Sequence, residues 1–114
     1  MLKGLASICL ALGLSTVPAA AAGSSTGEVT RLYVHNGDSA GGMIMFAAGT
    51  HNNKPSCSTL GDEWAFELGT PEGQAMYALL LSAVPQGLSI HVVGTGTCDA
   101  WGDRETARYI RVDF

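Results

Sequence analysis

Apolar and polar positions alternate in four short stretches of this chain, a fifth, second in order, is apolar throughout, and one stretch between the third and the fourth strand repeats at helical spacing instead. The first alternating run, Glu28 to Asn36, sets Leu32 and Val34 on one side and Arg31, Tyr33 and His35 on the other. Asn36-Gly37-Asp38 follows as a turn, because asparagine and glycine tolerate positive φ. Met43 to Ala48 is a second strand that forms a hairpin with the first, and Gly41-Gly42 leaves room for a bulge. Glu63 to Leu68 is the third, with Trp64, Phe66 and Leu68 inward and Glu63, Ala65 and Glu67 outward. Leu88 to Val93 is the fourth, carrying Leu88, Ile90 and Val92 on one face. In the fifth, Arg104 to Phe114, the residues Ile110, Val112 and Phe114 face in, and Tyr109, Arg111 and Asp113 face out. Gly23 to Gly27 reads as a frayed start, and Gly49 to Gly61 as a polar loop.

The helix has start and stop signals. Thr70 is a good N-cap, Pro71 suits the first helical position, and Glu72 sits at the positive end of the helix dipole. Pro85 and Gly87 end it after about 14 residues. It is apolar around most of its girth, so it must lie against a core or another subunit. Met76, Leu79, Leu80 and Ala83 are the candidate oligomer interface. The order β-β-β-α-β-β predicts a mainly β protein, a five-stranded OB-like barrel with one helix. Closure of such a sheet removes the edges that invite aggregation.

Ahead of this domain, Met1 to Ala22 has the form of a cleaved secretory signal. Lys3 gives a positive start, Leu5 to Val17 is mostly apolar, and Ala20-Ala21-Ala22 supplies small residues for cleavage. Residues 23–114 then form one domain of about 92 residues, exported to the periplasm or beyond. Cys9 leaves with the signal, so Cys57 and Cys98 remain as an even pair in an oxidising compartment and are expected to form a disulfide. No second stretch of about 18 apolar residues follows, so no membrane insertion is expected. Loss of Lys3 leaves five basic residues against ten acidic ones and no basic cluster, which disfavours nucleic acid and anionic membrane surfaces as partners.

Motifs for chemistry are sparse. Gly37-Asp38-Ser39-Ala40-Gly41 matches the G-x-S-x-G elbow, but a strand follows it where the elbow needs a helix, and a glycine-rich hairpin loop accounts for it. Gly94-Thr95-Gly96 lacks the third glycine and the helix of a phosphate loop. His35, His51 and His91 have no ligand-pair spacing, so neither a metal nor another cofactor is expected. Asp62-Glu63 and Asp103-Arg104-Glu105 read as solvated charge, since neighbouring strand residues point to opposite faces. Trp64 and Tyr77 read as core or helix-interface residues. Tyr33 and Trp101 are amphipathic aromatics suited to stacking outside the barrel, and with His35 they are the candidate ligand-binding residues.

The run Thr70-Pro71-Glu72-Gly73-Gln74-Ala75-Met76-Tyr77-Ala78-Leu79-Leu80-Leu81-Ser82-Ala83 leads into Gly87 to Cys98, then Trp101, Asp103-Arg104-Glu105 and Tyr109-Ile110. From about Thr30 to Val112 the chain resembles a group of small secreted bacterial proteins. Their layout is similar to the OB-fold B subunits of subtilase-cytotoxin and pertussis-like toxins. The resemblance implies a cystine at Cys57 and Cys98, ring assembly and glycan binding. It transfers no sugar-contacting residue. The expected function is therefore a non-enzymatic exported module that binds a glycan or a protein, with a homo-oligomeric ring as a candidate assembly. The rival readings are a periplasmic protein that caps an envelope protein and, remotely, a small hydrolase using Ser39.

Overall fold

The computed structural model of the protein describes residues 22–36 and 41–114. The signal segment up to Ala21 and the hairpin residues Gly37 to Ala40, Ser39 among them, lie outside the described residues. Five strands, β1 (Ser24–His35), β2 (Met43–Ala48), β3 (Glu63–Glu67), β4 (Ser89–Gly94) and β5 (Glu105–Val112), and one helix, α1 (Pro71–Ala83), make a mainly β domain. The pairings close into a ring in the order β1-β2-β3-β5-β4. Four of the contacts are antiparallel, while β3 and β5 run parallel.

The helix forms where its sequence signals stand. The Thr70 side chain accepts a hydrogen bond from the Gly73 amide at 3.0 Å, and Pro71 opens the first turn. A 3₁₀ turn, Val84–Gln86, carries the chain to Gly87, whose left-handed φ of 61° ends the segment. Leu80 and Ala83 are buried, and Met76, Tyr77 and Leu79 pack on the same cluster as Ile44, Phe46, Phe66 and Ile90. The helix thus spends most of its apolar side within the chain and leaves Leu81, 49% exposed, outside, as the 3₁₀ turn leaves Val84.

Strand alternation fills the ring as the period of two requires. Ile44, Phe46 and Ala48 of β2, Trp64 and Phe66 of β3 and Ile90 and Val92 of β4 form its interior. Burying such side chains contributes about 1.5–3 kcal/mol each. Three departures from simple alternation matter. Gly23 to Gly27 is no frayed start. Gly23 is buried, and Ser24 to Glu28 pairs with Val93 to Ser89 of β4. Smallness is what allows it, since a Cβ on Gly27 would lie 2.9 Å from Gly49. Val34 is 52% exposed, although Leu32 on the same predicted side packs into the core. Phe114 falls beyond the last paired residue, Val112, and is fully exposed.

A bulge decides the orientation of the end of β5. Val93 pairs with Tyr109, but Gly94 pairs with Ala107, so Arg108 is an extra residue in the ladder. Strict alternation back from Ile110 would turn Ala107 and Glu105 outward. The extra residue reverses the parity, and both are buried. Cys57, in the loop before β3, is bonded to Cys98, just past β4.

Candidate functional site

Two groupings of polar and aromatic side chains stand apart from the apolar core. One is on the outer face of the ring, and the other is sealed beneath the loop that joins β4 to β5.

On the outer face, β1 and β2 set Tyr33 opposite Met45 and His35 opposite Met43, and β2 and β3 set Met45 opposite Ala65. Met43, Met45 and Ala65 are buried even though they point away from the interior, because Tyr33, Ala100 and Trp101 cover them. The Trp101 ring comes from the β4–β5 loop and meets His35 with centroids 4.5 Å apart, tilted by 52°. His35 is exposed and Trp101 half-buried. Tyr33, His35 and Trp101, picked out separately along the chain, therefore lie on one surface. The candidate interface residues Met76, Leu79, Leu80 and Ala83 lie elsewhere, against the core of the ring.

A charged cluster borders the aromatics. The Tyr33 hydroxyl accepts a hydrogen bond from Arg104 Nη2 at 2.9 Å, and the same nitrogen donates to Glu63 Oε2 at 3.3 Å. Arg104 Nη1 pairs with Asp103. Arg31 approaches Glu63 Oε1 at 4.0 Å from its exposed position. Burial pushes the Tyr33 phenol above its ordinary value, and the Glu63 carboxylate adds to this. The expectation of solvated charge at Glu63 and Arg104 is overturned. Both side chains are nearly buried, because each is the other's partner under the aromatic cover.

The sealed grouping centres on Glu105, which is 0% exposed. His51 Nε2 donates to Glu105 Oε1 at 2.7 Å, and the amides of Gly23 and Gly96 donate to Oε2 at 3.0 and 2.9 Å. The His51 ring stacks on Trp64 at 3.7 Å, and Trp64 Nε1 donates to Ser25 Oγ at 2.9 Å. His51 Nδ1 is buried without a partner. Burial pushes the His51 imidazole below its ordinary value, against the raising pull of Glu105 and Asp62 and in concert with Lys54. The His51–Glu105 pair has the form of a catalytic dyad, but both side chains are wholly shielded from solvent. Glu105 ties the start of β5 to the segment that opens β1, to the loop after β4 and, through His51, to the loop before β3. Sequence reasoning missed this cluster because its members lie in five separate segments and Glu105 turns inward only through the bulge.

The depressed His51 value fixes a pH dependence. Unfolded histidine takes up a proton near pH 6.5, while the folded imidazole resists it, so the unfolded state binds more protons as pH falls below about 6.5. Stability is therefore expected to be complete above that pH and to decline below it. Urea midpoints at pH 7.5 and 5.5 measure the decline, and His51→Gln, which keeps a donor for Glu105, is expected to flatten it. An equal slope in that variant would count against His51 as the source.

No family model matches the chain, and neither a curated protein nor a solved structure matches it.

Proposed function

We propose that this chain is an exported, non-enzymatic binding module with an OB-like barrel, of the toxin B-subunit kind, and that it recognises a glycan through Tyr33, His35 and Trp101. The fold part of this reading is supported by the β1-β2-β3-β5-β4 ring, the parallel β3–β5 pair and the helix between β3 and β4. The Cys57–Cys98 bond is compatible with export. The single observation that carries the glycan reading is the meeting of three amphipathic rings on one outer face, backed by a buried Met43–Met45 floor. Aromatic faces stack on the apolar side of a sugar ring, and the neighbouring Arg104, Glu63 and Asp103 offer the donors and acceptors that hydroxyl groups need.

The two tryptophans make the test direct. Trp64 is buried, so a saccharide that docks on the patch changes the emission of Trp101 alone. A panel of oligosaccharides titrated against the protein is expected to yield at least one saturable change. Trp101→Ala is expected to weaken that binding about tenfold, since an aromatic stack contributes ~0.5–1.5 kcal/mol beyond its area. Binding that survives Trp101→Ala unaltered would move the site elsewhere.

A further inference from the structure

We propose that cleavage between Ala22 and Gly23 frees an α-amine that docks as an ammonium on the buried Glu105 carboxylate, so that removal of the leader itself locks the folded domain. The inference rests on the export reading and goes beyond it. The step is an amide hydrolysis. A leader peptidase adds one water across the Ala22–Gly23 bond, the carboxylate leaves on Ala22, and the new amine stays on Gly23 and takes a proton.

Three independent features of the structure point to this bond. The first is burial. Exposure changes sharply across the bond, with Ala22 exposed and Gly23 buried. Gly23 is also fixed in place, because its carbonyl accepts from the Gly94 amide at 2.9 Å, and Ser24 exchanges two backbone hydrogen bonds with Asn52 at 3.0 and 2.8 Å.

The second is the nitrogen's surroundings. Gly23 N lies 3.0 Å from Glu105 Oε2, a side chain with no exposure. A buried carboxylate needs a cation or several donors. Among the described side chains, His51 is the titratable group in contact with it, and burial holds that ring toward its neutral form. Arg104, the next residue in the chain, spends its guanidinium on Tyr33, Glu63 and Asp103 instead. An amide at position 23 supplies one proton and no charge. An ammonium at the same place supplies three protons and a positive charge.

The third is space. A Cβ at position 23 would lie 2.3 Å from Glu105 Oε1, 2.7 Å from His51 Nε2 and 2.8 Å from the Asn52 carbonyl oxygen. Only glycine brings its nitrogen this close to the carboxylate. The small residues Ala20-Ala21-Ala22 stand immediately before it, as a leader peptidase requires.

The amine inventory gives a clean test. The lysines of the chain are Lys3 and Lys54, so a chain that starts at Gly23 has two amines, the α-amine and the Lys54 side chain. The full-length chain is expressed with its leader, recovered from the envelope fraction, weighed intact and treated with an acylating reagent. The expected mass is that of residues 23–114. The native protein is expected to take one acyl group, on Lys54, and the denatured protein two. The α-amine should label at least about a hundredfold more slowly in the native state, because the reagent must wait for local opening. Glu105→Gln, which keeps the size of the side chain and removes its charge, is expected to restore fast labelling. A mature chain that begins at another residue, or a native α-amine that labels as fast as Lys54, overturns the proposal and leaves export intact. A chain that retains Met1 overturns both. The wild-type labelling decides the matter even if the Glu105 variant does not fold.

Discussion

Reduction of the Cys57–Cys98 bond is expected to lower the melting temperature by about 15–30 °C. The two cysteines are 41 positions apart. Closing a loop of that length removes enough freedom from the unfolded chain to stabilise the fold by about 4 kcal/mol. For a domain of this size each kcal/mol corresponds to about 4–8 °C. A small domain has about 5–15 kcal/mol in total, so the bond is a large share. The loss should also reach the 95–104 loop. Cys98 anchors that loop to the segment before β3, and the Thr97 carbonyl accepts from Thr106 at 2.8 Å beside Glu105. Circular dichroism melts with and without reductant, repeated on the Cys57→Ser/Cys98→Ser double variant, measure the effect. A shift of only a few degrees would show that the cystine merely decorates a fold held elsewhere.

Gly94→Ala is expected to be strongly destabilising, costing about 3–5 kcal/mol, as for a buried charge torn from its partners. A Cβ there would sit 1.8 Å from Glu105 Oε2 and 2.7 Å from Trp64 Cζ3. The end of a glutamate usually swings away from such a clash. This one is held by His51 and by the amides of Gly23 and Gly96, so it moves only by breaking those bonds. Trp64 has no freedom to yield either, since its ring is stacked on His51 and its Nε1 is bonded to Ser25. Gly102→Ala is the matched control, because nothing lies within 4 Å of the added atom. Urea denaturation of the two variants should separate them by about 3–5 kcal/mol. Equal midpoints would mean that Glu105 has room that the structure does not give it.

Much of the fold was legible along the chain because it depends on local chemistry. Thr70, Pro71 and Gly87 bracket the helix by their own backbone preferences, and the alternation of Trp64, Phe66, Ile90 and Val92 marks the faces that water leaves, while Met43 to Ala48 shows as a strand by its unbroken apolar run. The site was legible only in pieces. Tyr33, His35 and Trp101 can each be singled out as amphipathic rings, but their meeting depends on where the β4–β5 loop lies. Glu63, Arg104 and Glu105 read as solvent-facing charges, and each was misread for the same reason. A charged residue on a strand is assumed to face water unless a partner is in view, and here the partners come from distant segments.

By itself the sequence determined the number and order of the strands, the one helix with both its ends, and the pair of cysteines available for a bond. These follow from spacing, backbone preference and compartment, all of which act within a few residues or on composition. Tertiary structure alone decided that β3 and β5 run side by side, that Gly23 is buried instead of frayed, and that one extra residue at Arg108 turns Glu105 inward. The physical reason is that a ladder's register is set by the whole closed ring. A bulge of one residue reverses which face every following side chain takes, and no local preference of Arg108 or Glu105 announces it.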